Sequence, residues 1–355
     1  LYNQIKGEAL CIRAWAHFNL VQLYAQRYEA GKENTQDGIP YRVNPVAEEL
    51  ARSSVEEVYA KINADLDEAC TLLAGIQVND VNHYSEMVAW GLKSRVALAK
   101  QDYNNAADYA AKSIALAEAE GRKLMSGDQL NCGFADITSD TQEAMYAAMT
   151  PDDKTVYFYS FYAYMSWNFN SSSVRQGVKC INAETYETMS QTDLRRAWWD
   201  PTGEAEVPAA SYAKNVYQNR KFTARSTANA VGDVAFMRLA EIYLNQAEAL
   251  ARAGKYAEAQ DVFTRFQVTR DPSYVSKGNT GDALAEEIMN SRRVELWGEG
   301  FRFYDLKRLH LPIKRGSNFK IAFCTFLEKD KDAQGWVWEI PKMETDFNSL
   351  CTKNY

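Results

Sequence analysis

The stretch "RRVELWGEGFRFYDLKRL", residues 292–309, mixes charged and aromatic side chains in a way that fits neither a solvent-facing helix nor an apolar core helix. If it is helical, several oppositely charged pairs lie three residues apart and can interact locally. These pairs are Arg292–Glu295, Glu299–Arg302, Arg302–Asp305 and Asp305–Arg308. Aromatic residues occur on two faces of the segment, and an unpaired buried charge is costly. The pattern therefore predicts an ion-paired helix, buried on two sides, that docks the last helical repeat onto another part of the chain.

The composition of the chain argues against several classes of protein. Of its 355 residues, 46% are hydrophobic and 25% are charged, as is typical of globular proteins. The net charge of -7 argues against a nucleic-acid partner, which would require clustered Lys and Arg. The chain opens inside a helical pattern, so we expect further residues upstream. Its six cysteines are scattered without a C-x-x-C pair, and no metal or cofactor is predicted.

Helical patterns dominate both ends of the chain. Residues 53–74 place Ser54 at the start and Glu57 three positions later, which is the signature of a capping box. Apolar residues then recur at helical spacing, which predicts a helix. Two further helical pairs are predicted, over residues 84–120 with a joint at Gln101–Asp102 and over residues 235–268 with a joint at Gly254–Lys255.

The two pairs repeat each other. Their bulky and small residues follow the same spacing of 4, 9, 3 and 4 positions. The matching sets are Trp90, Ser94, Tyr103, Ala106 and Ala110 in the first pair, and Tyr243, Ala247, Tyr256, Ala259 and Phe263 in the second. This spacing is typical of tetratricopeptide repeats. Because each helical pair leaves an apolar face bare, such pairs must stack.

The region between the repeats has a different character. It is rich in Ser, Asn, Thr and Tyr, and "YFYSFYAYMSWNF", residues 157–169, carries eight aromatics in thirteen positions. The predicted fold is mainly α: a tetratricopeptide-like helical-repeat scaffold with an irregular, partly β insertion. All of it forms a single domain, residues 1–355. Its parts are N-terminal helical repeats (1–120), the aromatic-rich insertion (121–234), C-terminal helical repeats (235–311) and a tail that packs on the scaffold (312–355).

The segment 292–309 also resembles the C-terminal motif of the RagB/SusD family of outer-membrane nutrient-binding lipoproteins, R-R-x-E-L-x-x-E-G-x-R-x-x-D-L-x-R. The matching residues are Arg292, Arg293, Glu295, Leu296, Glu299, Gly300, Arg302, Asp305, Leu306 and Arg308. Other stretches are similar to further family motifs, in the same order along the chain. They are residues 7–25, 52–69, 181–199, 236–254 and 338–355. The resemblance implies a SusD-like fold for the whole chain.

This resemblance implies a function in polysaccharide utilisation in Bacteroidetes. Members capture oligosaccharides or other nutrients at the cell surface and pass them to a TonB-dependent, SusC-like transporter. The chain would then be a carbohydrate-binding protein of the outer membrane and not an enzyme. It would face the cell exterior and be held by a lipidated N-terminal Cys that lies outside this chain.

The aromatic part of the insertion is the candidate ligand site. Aromatic rings cover the C–H faces of sugars, whereas amides and guanidinium groups bond their hydroxyls. The predicted ligand-binding residues are Tyr162, Tyr164, Trp167, Asn168, Asn170 and Arg175, with Tyr157 and Tyr159 as further rings. The alternative is that alternate rings line a strand buried on one face. Trp198 and Trp199 are expected to be structural.

Two other functions remain as alternatives. The three histidines are far apart, and no H-E-x-x-H, G-x-S-x-G or phosphate loop occurs, so an enzyme is not predicted. Carboxylates are numerous enough for a glycosidase pair, but none lies in a recognised motif. A tetratricopeptide-type adaptor that binds peptides and no sugar is the main rival.

A calcium site is not predicted either. "PDDK" at residues 151–154 offers carboxylates without the spacing of a calcium loop.

Overall fold

The computed structural model describes residues 1–46, 48–151, 159–319, 322 and 325–355. Helices account for 46% of the protein and strands for 7%, which confirms the predicted mainly helical fold with a partly β insertion. The carboxylates at residues 152 and 153 and the ring of Tyr157 lie outside the described residues.

The N-terminal helices are α1 (Tyr2–Tyr24), α2 (Val55–Leu73), α3 (Glu86–Ala99) and α4 (Tyr103–Ala119). The predicted capping box begins α2. The Ser54 hydroxyl accepts from the backbone N–H of Glu57 (3.2 Å), and the Glu57 carboxylate accepts from the N–H of Ser54 (2.9 Å). Gln101, with φ of 62°, turns the chain between α3 and α4, which confirms the predicted joint.

Short elements make up the insertion. Its helices are α5 (Ile137–Asp140), α6 (Phe161–Met165), α7 (Ser172–Arg175) and α8 (Ala183–Tyr186), with 3-10 turns at Gly127–Asn131 and Leu194–Trp198. Its strands are β1 (Ala144–Ala148), β2 (Trp199–Asp200), β3 (Gln218–Asn219) and β4 (Val234–Arg238). Strand β1 pairs antiparallel with β4, and β2 pairs antiparallel with β3. The β1–β4 pair joins the two ends of the insertion.

The C-terminal part begins with α9 (Leu239–Arg252), α10 (Tyr256–Arg270), α11 (Gly281–Glu295) and α12 (Arg302–Arg308). The antiparallel strands β5 (Ile313–Lys314) and β6 (Glu328–Lys329) and helix α13 (Lys342–Phe347) follow. The helix predicted from residue 235 starts at Leu239 instead, because residues 234–238 pair with β1. The tail lies against α1: the Trp338 N–H donates to the carbonyl of Leu23 (2.9 Å).

Two apolar cores organise the molecule. In the scaffold, α1 packs on α2, α3 on α4, and α9 on α10. Helix α4 packs directly on α9, so the two sequence repeats stack on each other although the insertion separates them along the chain. The second core belongs to the insertion and includes Phe134, Trp198 and Phe222. Val294 and Trp297, at the end of α11, pack against this second core and so join it to the scaffold.

Buried ion pairs also join the insertion to the helical scaffold. Glu295, with no exposed surface, accepts from Arg238 (2.9 Å) and Arg270 (2.9 Å). We call the connected set of side chains around it the ion cluster. Its members are Glu143, Asp193, Arg195, Lys221, Arg238, Arg270, Glu295 and Glu299. These residues come from the insertion, β4, α10, the end of α11 and the turn after it, so their charges bind the insertion to the helices.

The helix predicted over residues 292–309 is interrupted in its middle. Helix α11 ends at Glu295 and α12 begins at Arg302, because Gly298 (φ 80°) and Gly300 (φ 91°) turn the chain. Most of the predicted local pairs are therefore replaced by longer-range ones. Asp305–Arg308 forms as predicted (2.8 Å), whereas Arg292 pairs with Asp305 (2.9 Å) and Glu299 joins the ion cluster.

Candidate functional site

Hydroxyl caps hold residues 159–175, the described part of the predicted binding segment 157–175, in a defined shape. The Ser160 hydroxyl caps α6 by accepting from the N–H of Ala163 (3.2 Å). The Ser171 hydroxyl caps α7 by accepting from the N–H of Val174 (3.2 Å). Both helices are a single turn long, so these caps replace the backbone bonds that such short helices lack.

Two of the six predicted ligand residues face the interior. Tyr162 is 1% exposed, and its hydroxyl donates to the carbonyl of Asp233 (3.0 Å). The buried amide of Asn168 donates to the Ala224 carbonyl and accepts from the Ala224 N–H, both at 2.8 Å. Neither offers an unpaired polar group to a ligand in the loop. Both side chains hold the loop to the rest of the insertion, and their contact with a ligand stays a prediction.

The other four predicted residues lie at or near the surface. Tyr164 is 44% exposed and Asn170 is exposed, whereas Arg175 and Trp167 are half-buried. Tyr159, the further ring at the start of the loop, is 80% exposed. The loop therefore carries two solvent-facing phenol rings, an open amide and a guanidinium within one compact segment. No hydrogen bond or ring contact joins Tyr164 to Trp167 within the described residues.

Trp167 is fixed by its neighbours. Its indole N–H donates to the hydroxyl of Thr223 (2.9 Å). The guanidinium of Arg220 lies 4.3 Å from the ring centroid, so one face of the indole is covered. The nearest carboxylate to Arg220 is Asp200, at 4.0 Å. Burial lowers the pKa of Arg220 from its ordinary value. Trp198 and Trp199 are 1% and 2% exposed and pack in the insertion core, as expected of structural residues.

A second candidate site lies deeper in the molecule, and Tyr162 is the one predicted ligand residue among its described lining residues. A cavity of about 410 Å³ lies where α1, α3, the insertion and the 298–301 turn meet. Six of its rings are Trp15, Phe18, Phe134, Phe161, Phe222 and Phe301. Asn19 and Gln22 donate to carbonyls of α1, which leaves their amide oxygens unbonded within the described part of the chain. We call this space the aromatic cavity, and its volume lies within the usual range for small-ligand sites.

The signal for this cavity is present in helix α1. Trp15, Phe18, Asn19 and Gln22 recur at positions i, i+3, i+4 and i+7, which places them on one helix face. An amide pair beside two large rings is unusual on a face that only packs against a core. The sequence alone does not reveal which distant residues close the cavity opposite them.

The acidic residues of the 292–309 segment are committed to ion pairs. Burial opposes ionisation of Glu295, yet Arg270 and Arg238 hold its pKa well below the ordinary value. The pKa of Glu299 is likewise lowered, against its burial, by Arg238 and Lys221. A general acid at neutral pH needs the opposite shift. Within the described residues, no group of three or more His, Cys, Asp or Glu side chains is arranged to hold a metal ion.

Two family models match this chain. A family model described as the SusD family matches residues 75–353. The chain belongs to the SusD family. A second family model, described as "Starch-binding associating with outer membrane", matches residues 1–98. The proteins of the SusD family are binding proteins and not catalysts, so the SusD-family chain is not an enzyme.

Individual relatives agree with this assignment. A stretch of 90 residues is 30% identical to the SusD-like protein P38 of Formosa agariphila. It spans 23% of this chain but only 18% of that protein. The structure of a putative sugar binding protein from Bacteroides vulgatus is 25% identical, with a TM-score of 0.83 over 99% of this chain and 77% of that one.

A second solved structure shares the fold at lower identity. It is a SusD-like carbohydrate binding protein from Bacteroides vulgatus, 23% identical to this chain, with a TM-score of 0.81. The alignment covers 98% of this chain and 77% of that protein. The SusD-like fold predicted from the sequence is thereby confirmed. In the described part of the chain, none of the helices is both long and apolar enough to cross a bilayer.

Proposed function

We propose that this SusD-family protein captures oligosaccharides on the 159–175 loop of its insertion. The observation that carries the proposal is the pair of solvent-facing rings, Tyr159 and Tyr164, on a loop whose backbone is fixed by caps. Large rings exposed to water in a fixed loop are available to the C–H face of a sugar. Asn170 and Arg175 lie in the same segment and supply donors to sugar hydroxyls.

The affinity of such a site is moderate. Each ring contributes about 1 kcal/mol beyond the area it buries. A few rings with hydrogen bonds give roughly -4 to -8 kcal/mol, which corresponds to millimolar to micromolar dissociation constants. That range suits a protein that must release its ligand after capture.

Membership of the family supports the finer parts of the proposal. We propose that the captured sugar passes to a TonB-dependent, SusC-like transporter in the outer membrane. We also propose that the protein faces the cell exterior and is lipid-anchored through a Cys upstream of residue 1. The second family description, which names starch binding and the outer membrane, supports this placement.

A glycan array followed by calorimetry tests the proposal. The intact chain is applied to the array, and the strongest oligosaccharide is titrated against the wild type, Tyr164→Ala and Trp167→Ala. Each substitution should weaken binding about fivefold, since the loss of one ring removes about 1 kcal/mol. Tyr256→Ala is the matched control, because Tyr256 is a 36% exposed tyrosine on scaffold helix α10.

The array also tests the rival adaptor function. A parallel peptide array is probed with the same protein. If peptides bind and no glycan does, the protein is a tetratricopeptide-type adaptor and the proposal fails. If a glycan binds but Tyr164→Ala and Trp167→Ala behave like Tyr256→Ala, sugar capture stands and the loop is the wrong site.

A further inference from the structure

A second, larger cavity adjoins the aromatic cavity at the turn after α11, and the two linings share Arg292, Gly298, Gly300, Phe301 and Asp305. Its volume is about 750 Å³, and it is bounded by residues 180–185, the end of α11, the start of α12 and strand β5. Five cationic side chains line it: Arg292, Arg293, Arg302, Lys314 and Arg315. The only carboxylate among its described lining residues is Asp305. A cationic pocket of this kind stands out on a chain whose net charge is -7. We call it the cationic cavity.

Asp305 pairs with only one of the five cations that line the cavity, Arg292, and with Arg308, which is not part of that lining. One of its oxygens accepts from Arg292 (2.9 Å) and the other from Arg308 (2.8 Å and 3.0 Å). Arg302 lies three residues before Asp305 on the same helix, yet its guanidinium makes no hydrogen bond within the described residues. Its donors are therefore available to a ligand.

Arg293 is similarly short of a charged partner. Its neighbour is the amide of Asn182, whose oxygen lies 2.5 Å from a guanidinium nitrogen in the orientation that satisfies both groups of the amide. The charge of Glu184 acts on Arg293, but the Glu184 carboxylate accepts from the backbone N–H of Ser317 (2.9 Å). Burial and the charge of Arg302 lower the pKa of Arg293 to about 10, so it remains charged at neutral pH.

The walls of the cationic cavity suit a ligand that is partly apolar. Trp297, Phe303 and Phe319 present rings to it, beside the guanidinium groups. Thr185 is 2% exposed, and its hydroxyl has no hydrogen-bond partner within the described residues. An unbonded buried hydroxyl costs free energy unless a ligand or water satisfies it. Lys314 and Arg315 are exposed and lie at the rim.

We propose that the cationic cavity binds the acidic group of a charged saccharide, a carboxylate or a sulfate carried on a sugar ring. The guanidinium of Arg302 forms the main contact, Arg293 the second, and the aromatic walls receive the ring. The inference rests on the proposed function, sugar capture, and adds a class of ligand to it. The site is separate from the 159–175 loop, so a long acidic glycan would contact the protein at two places.

The chemistry favours an anion over a neutral sugar. A guanidinium bonds a carboxylate or sulfate through two parallel N–H···O contacts, which are shorter and stronger than bonds to a hydroxyl. Two cations that share a desolvated pocket repel each other, and an anion between them relieves that repulsion. A neutral sugar of the same size relieves none of it. Preference for the charged form is therefore the property to measure.

The test compares an acidic sugar with its own neutral ester. Oligogalacturonate and the fully methyl-esterified form of the same length are titrated calorimetrically into the full chain, with a sulfated disaccharide as a second acidic probe. We expect at least one acidic probe to bind about tenfold or more tightly than the ester, as charge-assisted bonds imply. Arg302→Gln and Arg293→Gln should each remove most of that difference.

Controls separate loss of the site from loss of the fold. Arg265→Gln is the matched substitution, because Arg265 is half-exposed on α10 and does not line the cavity. Arg315→Gln, at the exposed rim, supplies a variant whose folding is not at risk and should weaken acidic binding less than Arg302→Gln. Melting temperatures are measured for all variants.

The outcomes distinguish this inference from sugar capture itself. Equal binding of the ester and both acidic probes, or acidic binding that survives Arg302→Gln and Arg293→Gln, overturns the cationic site. Sugar capture stands in that case. Absence of binding by every acidic probe overturns the cationic site, and binding of glycans on the array then decides sugar capture separately.

Discussion

Replacing Glu295 by glutamine tests how the insertion is held to the helical scaffold. The change keeps the size of the side chain and removes one negative charge. Glu295 is fully buried and accepts from Arg238, Arg270 and Arg195 at 2.9 to 3.3 Å. In the native ion cluster, four cations face four carboxylates. In Glu295→Gln, four cations face only three carboxylates.

The expected loss follows from that imbalance. Removing one partner from a buried ion pair costs about 3–5 kcal/mol, because the other charge stays buried without compensation. Each arginine of the cluster keeps a second carboxylate, such as Glu143 for Arg270 (2.8 Å), so the lower end of this range applies. We expect a loss of about 3 kcal/mol, a large fraction of the roughly 5–15 kcal/mol by which proteins are stable.

Urea unfolding at pH 7, followed by circular dichroism at 222 nm and by tryptophan fluorescence, measures the loss. The two probes report the helices and the tryptophan-rich insertion core, and the linear extrapolation gives the free energy of unfolding. Glu286→Gln is the control, since Glu286 is an exposed carboxylate on the same helix, and it should change stability by less than about 0.5 kcal/mol. A loss below about 1 kcal/mol for Glu295→Gln would refute the assigned role of the ion cluster.

Two further predictions concern the turn at Gly298 and the ion pair between Glu248 and Arg308. Gly298→Ala combines a φ of 80° with a Cβ 2.6 Å from the Phe222 ring, and should cost about 3 kcal/mol in urea unfolding. Gly278→Ala, at φ 68° with open space around it, should cost only about 1 kcal/mol, and equal losses would contradict the close approach. Burial opposes ionisation of Glu248, but Arg308 lowers its pKa to about 2. Its stabilising contribution is therefore present above the ordinary pKa of 4.5 and lost as the pH falls towards 2. The stability difference between the wild type and Glu248→Gln should shrink between pH 7 and about pH 3 in urea titrations, and a constant difference would contradict this assignment.

Local signals in the sequence predict the scaffold well. The Ser54–Glu57 capping box and the joints at Gln101 and Gly254 involve residues at most a few positions apart, and the structure places all of them as predicted. The shared spacing of the two helical pairs also predicts that they stack, because each pair must cover its apolar face.

For the segment 292–309, the local sequence predicts burial and ion pairing but not the partners. Its charges predict burial and ion pairing, and both are present. The partners are different: Glu295 pairs with Arg238 and Arg270, which come from other elements, and not with Arg292 three residues away. Two glycines with positive φ break the helix and turn these side chains away from each other. A prediction based on residue spacing along one continuous helix therefore cannot identify these ion-pair partners.

For the same reason, the sequence indicates where the aromatic loop lies but not which way its side chains point. Composition identifies the loop, and Tyr164 is 44% exposed in the structure. The direction of Tyr162 and Asn168 depends on Asp233 and Ala224, more than fifty positions later in the chain. The aromatic and cationic cavities likewise form between elements that are distant in sequence. Contacts of this kind require the three-dimensional arrangement of the insertion.

A crystal soaked with the oligosaccharide selected on the glycan array tests the central claim most directly. We expect ordered sugar density against the exposed ring of Tyr164 and the free side of Trp167, with Asn170 or Arg175 bonded to its hydroxyls. Density for that sugar only in the aromatic cavity beside Trp15, or only on the helical scaffold, would contradict capture by the 159–175 loop.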